Sequence, residues 1–174
     1  MRDNSLGGST TLPELIGTEK VRCPSCGDYE LTVSMYVVET RFFGKVVIES
    51  GKCARCGFLY RDVYLAEYGE PRKFEVKVLS GSAGDYLLVK SSSATVIIPE
   101  LGIEIAPGPA AQGYITTARG ILENVYELLV GLCRERDGEC SKKLDEVLKA
   151  LEGEVGFTLI LDDPLGRSAV IKLP

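Results

Sequence analysis

The sequence predicts a mainly β protein with an inserted helical hairpin, divided into two parts. Two copies of the motif C-x-x-C-G lie in the first third of the chain, separated by a predicted β-hairpin. Further along, short segments with β-strand character alternate with Gly- and Pro-containing turns, as in a β-sandwich or barrel. Near residue 117 the apolar repeat becomes that of an amphipathic helix. We therefore expect a cysteine-rich ribbon followed by an antiparallel β domain that carries two helices.

The first 18 residues are rich in Ser, Thr and Gly and contain no apolar stretch of the kind found in signal peptides. We therefore expect a mobile N-terminal tail over residues 1–18. The 174-residue chain also contains no apolar run long enough to predict a membrane span. These features together predict a cytoplasmic protein.

The candidate metal ligands are Cys23, Cys26, Cys53 and Cys56. In each C-x-x-C-G copy the two intervening residues let both sulfur atoms lie on one side of a turn, and the Gly accepts the backbone conformation that follows. Two such turns supply four thiolates to one structural zinc ion, which leaves no open position for a substrate. The alternatives are two disulfides or a redox pair, although a redox pair needs a βαβ setting that this segment lacks. Iron or an iron–sulfur cluster accepts the same thiolates, so zinc is favoured and iron stays open.

The zinc ribbon is predicted over residues 19–66. Its strands are rich in β-branched and aromatic residues, and they cover residues 29–38, 44–49 and 58–66. Phe42 and Phe43 lie near the turn between the first two strands. They form either an exposed partner-binding tip or, as we favour, a contact with a neighbouring domain.

The second domain is predicted over residues 67–174, after a boundary at residues 67–71. Its short strands favour a β-sandwich or barrel, and they cover residues 73–78, 86–90, 95–98, 102–106, 156–161 and 168–173. Asp162 and Asp163 precede the last strand. The steps Asp163-Pro164 and Leu165-Gly166 are typical of a turn. We therefore expect the two Asp side chains to cap local amides rather than to form a metal or acid–base site.

A helical hairpin is predicted at about residues 117–153 of the second domain. Thr116 and Thr117 are good N-cap residues for its first helix, and the second helix is expected to follow Ser141 and to end at Gly153. We expect the apolar stripes of both helices to pack on the sheet, with a partner helix as the alternative.

Cys133 and Cys140 lie near the end of the first predicted helix and the start of the second. This places them close enough for a disulfide across the mouth of the hairpin. Cytosolic thiols normally stay reduced, except in hyperthermophilic archaea, so free thiols are the default expectation and the disulfide is the alternative.

The chain contains no His. Nucleophile pairs that use His, His-ligated catalytic zinc and imidazole acid–base chemistry are therefore excluded. We find no convergent acid, base and electrophile elsewhere, so we expect a binding protein and not an enzyme. The net charge of −5 argues against a nucleic-acid backbone as the principal ligand.

The chain resembles the ZPR-type zinc-finger proteins in several segments that occur in the same order. These are the two cysteine pairs, residues 95–102 with Pro107-Gly108, residues 113–120 and residues 157–166. The resemblance runs from about Cys23 to the end, and the chain carries one module, as archaeal members do, where eukaryotic members carry two. After Cys56 the residues GFLYRD replace the GYRSNE run that is typical of eukaryotic members.

The resemblance implies both a fold and a partner. The implied fold is a zinc ribbon similar to that of the initiation factor two beta subunit, joined to a double-stranded β-helix or jelly-roll domain decorated with a helical hairpin. Eukaryotic members bind translation elongation factor one-alpha, assisting its folding, and have been connected with receptor kinase tails. The resemblance therefore implies a zinc-binding, non-enzymatic interaction module with a chaperone role.

An RNA- or ribosome-binding zinc ribbon is the alternative function. It rests on a partial pattern of basic and aromatic residues, namely Arg22, Arg41, Lys45, Lys52, Arg55 and Arg61 with Phe42 and Phe43. The sequence carries no signal for an oligomeric state.

Overall fold

The computed structural model describes residues 12–67, 69–133 and 138–174. Over these ranges the chain forms eleven strands and two α-helices. The strands are β1 Glu14–Val21, β2 Leu31–Thr40, β3 Gly44–Cys53, β4 Leu59–Leu65, β5 Arg72–Val78, β6 Tyr86–Lys90, β7 Thr95–Ile98, β8 Ile103–Ile105, β9 Tyr114–Thr117, β10 Phe157–Asp163 and β11 Ala169–Lys172. The helices are α1 Ala118–Leu132 and α2 Gly138–Leu151, and neither is long and apolar enough to cross a membrane.

The ribbon is one antiparallel sheet in the order β1-β2-β3-β4. On β2 the side chains of Leu31 and Val33 are buried while Thr32 between them is exposed, which is the alternation of a strand with one face covered. The predicted hairpin is confirmed, since β2 pairs with β3 from Leu31↔Cys53 to Thr40↔Gly44.

The expected tail is wrong for residues 14–18, which belong to β1, and residues 1–11 lie outside the described residues. Most side chains of β1 are exposed, so no apolar pattern marks it in the sequence. The strand pairs with the outer edge of β2, and backbone hydrogen bonds rather than burial hold it there. The ribbon therefore has four strands where three were predicted.

The second domain contains two sheets, β5-β10-β7-β8 and β11-β6-β9, with a common apolar core. Fully buried core residues come from both sheets and from both helices, and they include Leu88, Ile98, Leu122, Val147 and Leu161. The prediction of a β domain with a helical hairpin packed on its sheets is confirmed. Strand β9 was not predicted, because its four residues run directly into the N-terminus of α1.

The ends of the helices agree with the predictions in part. The Thr117 hydroxyl accepts a hydrogen bond from the Gly120 amide at 3.2 Å, which confirms it as the N-cap of α1. Gly153, at φ +78°, follows the end of α2 as predicted. Helix α2 begins at Gly138, so the expectation that Ser141 precedes it is wrong.

A disulfide joins Cys133 to Cys140, with 5.8 Å between their Cα atoms. The expectation of free thiols is therefore wrong. The end of α1 lies beside the start of α2, and this brings the two side chains within bonding range. Residues 134–137 of the predicted link lie outside the described residues.

The buried apolar contact between the ribbon and the second domain lies at the end of the ribbon that is remote from the cysteines. Val46 and Leu65 of the ribbon and Val89 of β6 form one buried cluster, and the partly buried Phe43 packs against it. The favoured expectation for Phe43 is confirmed, whereas Phe42 stays 42% exposed beside the Arg41 guanidinium. The Leu65 amide also donates to the Arg167 carbonyl at 2.9 Å, which ties β4 to the loop before β11.

Candidate metal centre

The two cysteine turns have the same backbone hydrogen bonds. In the first, the Cys23 amide donates to the Asp28 carbonyl at 2.8 Å and the Gly27 amide donates to the Cys23 carbonyl at 2.8 Å. The second repeats this pattern through Cys53, with distances of 2.9 and 3.0 Å. Gly27 and Gly57 have φ values of +80° and +76°, which favour Gly, as the motif predicted.

The hairpin brings the four predicted sulfur atoms together, all within 4.8 Å of one another. The Sγ atoms of Cys23 and Cys56 are 3.7 Å apart, and those of Cys26 and Cys53 are also 3.7 Å apart. A zinc–sulfur bond of about 2.3 Å places the corners of a tetrahedron about 3.8 Å apart. The four thiolates therefore fit one tetrahedral zinc ion.

Backbone amides favour the thiolate form of the exposed cysteine. The Phe58 amide donates to Cys56, and this bond together with the neighbouring thiols lowers the pKa of Cys56 to about 7, against the opposing effect of desolvation. At Cys26 the Asp28 amide favours the thiolate, but burial and the three neighbouring thiols outweigh it and raise the pKa of Cys26 to about 12. The four thiols therefore lose their protons successively, with Cys56 before Cys26, and metal binding releases the protons that remain.

Residues around the centre connect the two turns. The Arg55 Nε atom lies 2.9 Å from an Asp28 carboxylate oxygen, so each turn contributes one partner of an ion pair. The local apolar core is small, since the buried residues around Cys23 and Cys53 are Leu31 and Val33. On so small a core, a zinc ion with four thiolate ligands stabilises the fold. Its coordination sphere is then full, so no coordination position is left at which the ion activates a substrate.

The basic residues of the partial RNA-binding pattern do not form one cluster. Arg22 stacks on Tyr29 and Arg41 stacks on Phe42, at 5.1 and 5.3 Å from the ring centroids. Arg55 is paired with Asp28, and Lys45 lies at the opposite end of β3 from Cys53. Only Lys52 and Arg61 of this set lie close together on one face, on the paired strands β3 and β4.

Asp163 lies in a buried polar network, of which the sequence predicted the capping of local amides but not the contacts with three serine hydroxyls. Its carboxylate accepts hydrogen bonds from the Ser91, Ser93 and Ser168 hydroxyls at 2.6–2.8 Å. It also accepts from the Leu165 and Arg167 amides, which confirms the predicted capping role. Burial opposes ionisation of Asp163, but the serine and amide hydrogen bonds outweigh it and lower the pKa. Asp162, in contrast, pairs with Lys73 at 3.7 Å.

A second buried carboxylate, Asp62, lies at the junction of the two domains. Its Oδ2 atom accepts from the Ser92 hydroxyl at 2.5 Å, and burial raises its pKa despite this bond. Lys90 is 6% exposed and its ammonium group lies 5.8 Å from the Tyr114 ring centroid. No sequence motif marks these residues, since they come together only through long-range packing.

Two family models match the chain, one described as the ZPR1 zinc-finger domain over residues 17–68 and one as the ZPR1 jelly-roll domain over residues 85–174. The chain belongs to the ZPR1 family. Its β domain is therefore a jelly roll, and the resemblance inferred from the cysteine pairs and the later segments is confirmed.

Relatives in archaea and eukaryotes match this ZPR1-family chain over most of its length. A ZPR1-like protein of Methanocaldococcus jannaschii is 38% identical over 159 residues, which cover 88% of this chain and 80% of the relative. A ZPR1-like protein of Pyrococcus horikoshii is 35% identical, with 94% and 80% covered. The zinc finger chaperone zpr1 of Schizosaccharomyces pombe is 33% identical and covers 90% of this chain, which spans only 36% of that relative's length.

Proposed function

We propose that this chain is a non-enzymatic interaction protein that binds elongation factor one-alpha in the cytoplasm and assists its folding or assembly. The observation that carries the proposal is the closed four-thiolate centre within a ZPR1-family chain. A centre of this kind stabilises a surface without offering a catalytic position. The fission yeast relative bears the name of a chaperone, which supports the same role here.

The zinc ribbon is the part of the chain that we expect to contact the elongation factor. The buried apolar contact of its sheet with the jelly-roll domain lies at one end, at Val46 and Leu65. The cysteine turns lie at the other end, and their tips are exposed. Metal binding therefore controls whether this surface has a defined shape.

Calorimetric titration of the zinc-loaded protein with the elongation factor from the same organism tests the proposal. The factor is used in GDP-bound, GTP-bound and nucleotide-free forms, and a parallel assay measures its refolding yield from denaturant. We expect saturable binding that favours one form, together with an increased refolding yield. A double variant Cys23→Ser with Cys53→Ser removes two ligands and should lose both effects.

The double variant Cys133→Ser with Cys140→Ser is the matched control, because it also replaces two cysteines but leaves the zinc ligands intact. It should retain binding. Absence of heat in all three nucleotide forms, with a blank size-exclusion control, would contradict the proposal. Steeply salt-dependent binding to bulk RNA would then favour the alternative function.

A further inference from the structure

A cleft of about 540 Å³ lies where the zinc ribbon meets the sheet β11-β6-β9. One wall is the face of β3 and β4, and the other is the chain leading into β9. The side chains that matter for its chemistry are Ile48, Ser50, Arg61, Val63, Tyr114 and Ile115.

Strand pairing arranges the ribbon wall in successive rows. Ile48 is paired with Val63, Ser50 with Arg61, and Lys52 with Leu59. These pairs are two residues apart along each strand, so they lie on one face and are separated by about 6.8 Å. An apolar row is therefore followed by a row with Arg61 and then by a row with Lys52.

The jelly-roll wall extends the apolar row. Ile115 is paired with Val89 on the neighbouring strand, and Val89 packs in the cluster at the domain junction. Ile115 remains 42% exposed although it lies beside that cluster. The cleft thus has an apolar end, formed by Ile48, Val63 and Ile115, and a cationic end at Arg61, beyond which Lys52 lies one row further along the same face.

Among the residues that the structure describes, neither Arg61 nor Lys52 takes part in an ion pair. Lys20, which belongs to the same row as Lys52, is paired with Glu30 at 3.2 Å. In a chain with a net charge of −5, this leaves a local positive surface open to an anion.

Two carboxylates, those of Glu49 and Asp62, belong to residues that also line the cleft, and both are held by hydrogen bonds within the protein. Glu49 and Asp62 alternate along β3 and β4 with the residues of the rows. The Tyr64 hydroxyl donates to Glu49 at 2.7 Å, and the Ser92 hydroxyl donates to Asp62. Among the ion pairs of the described residues, neither carboxylate is a partner of Arg61.

We propose that this cleft binds an extended, acidic peptide segment of a partner protein. An aliphatic side chain of the segment packs on Ile48, Val63 and Ile115, and carboxylates two and four residues further on contact Arg61 and Lys52. An extended peptide repeats every two residues with the same spacing as the rows, so alternate side chains meet successive rows. The proposal concerns the chemistry of the ligand and stands whether or not the partner is an elongation factor.

A peptide fits the cleft better than a nucleic acid does. Single-stranded nucleic acids bind to aromatic stacking surfaces and to a cationic track along the backbone. Here the apolar end is formed by the aliphatic side chains of Ile48, Val63 and Ile115. Among the described lining residues, Tyr114 is the one aromatic residue and Arg61 the one cation, with Lys52 a row beyond it.

Fluorescence anisotropy with a fluorescein-labelled heptapeptide, Gly-Leu-Thr-Asp-Thr-Glu-Gly, tests the proposal on the zinc-loaded full chain. We expect saturable binding that weakens about tenfold in Arg61→Glu and in Lys52→Glu, since each change replaces an attraction by a repulsion. Ile115→Ser should weaken binding about fivefold through lost apolar contact. Lys142→Glu, on α2 and outside the cleft, changes the net charge by the same amount as Arg61→Glu or Lys52→Glu, and it should leave the affinity for the peptide unchanged.

Three results would overturn the proposal. The first is a lack of binding of the heptapeptide, and the second is equal weakening in Lys142→Glu, which would indicate attraction by overall charge. The third is tighter binding of a labelled oligouridylate than of the heptapeptide, with the oligouridylate affinity weakened by Arg61→Glu but not by Ile115→Ser. That result would assign the face to a nucleic acid. A peptide with Lys in place of its two acidic residues should not bind, and circular dichroism checks that every variant is folded.

Discussion

Removal of the zinc ion should unfold the ribbon and leave the jelly-roll domain folded. Near the cysteine turns the buried apolar residues are Leu31 and Val33, together with the ligands Cys23 and Cys53. Burial of two such aliphatic side chains contributes about 3–6 kcal/mol. Zinc binding to short four-ligand motifs contributes about 10–16 kcal/mol. The metal is therefore the larger of the two terms and decides whether the cysteine turns are ordered.

The loss of structure should be steepest at the cysteine turns and weaker at the domain junction. There Val46 and Leu65 remain packed on Val89, and the Leu65 amide keeps its bond to the Arg167 carbonyl. Hydrogen exchange read by mass spectrometry, before and after chelation, measures this gradient. We expect protection to be lost over residues 21–66, most strongly around the cysteines, and to persist over residues 85–174.

Limited proteolysis of the same samples should produce cleavage within the ribbon, and addition of zinc should reverse it. The double variant Cys23→Ser with Cys53→Ser should behave like the chelated protein. If metal-free protein kept native exchange protection and protease resistance over the cysteine turns, the reasoning that zinc holds them would be refuted.

Three further predictions concern the jelly-roll domain and its junction with the ribbon. Asp163→Ala should lower the free energy of unfolding by about 3 kcal/mol, because three buried hydroxyls and two amides lose their acceptor. Since the folded-state pKa of Asp163 is lowered, this contribution is present above the unfolded pKa of about 3.9 and is lost as pH falls through the folded value. Reduction of the Cys133–Cys140 disulfide should cost about 2 kcal/mol, as expected for a cross-link between residues 7 apart. Gly113→Ala should destabilise the junction by about 1–3 kcal/mol, because its Cβ would lie 2.9 Å from the Val63 nitrogen and closer still to Asp62.

Each of these predictions has its own check. Urea unfolding at several pH values should show the difference between wild type and Asp163→Ala shrinking in acid, and a constant difference would contradict the assigned ionisation. Mass analysis after alkylation under denaturing, non-reducing conditions should find Cys133 and Cys140 protected. Gly108→Ala is the control for Gly113→Ala, since nothing lies within 4 Å of its added Cβ, and equal effects of the two changes would contradict the steric argument.

Local patterns predicted some elements to the residue and missed others. Strands β6 and β7 agree with their predicted ranges because both combine β-branched or aliphatic residues with clear turns on either side. Strand β1 carries no apolar alternation, so only its pairing with β2 makes it a strand. The same holds for β9, which is defined by its pairing with β6.

The metal ligands and the two-part organisation followed from the sequence alone. The C-x-x-C-G spacing determines the local turn that presents each sulfur pair, and such short-range geometry does not depend on the rest of the fold. The tertiary structure decided which distant residues meet. Asp163 lies 72 residues from Ser91, and Asp62 lies 30 residues from Ser92. The pKa values of these carboxylates and the cleft beside Arg61 arise from packing between sheets, because burial and hydrogen bonding depend on neighbours that no local pattern specifies.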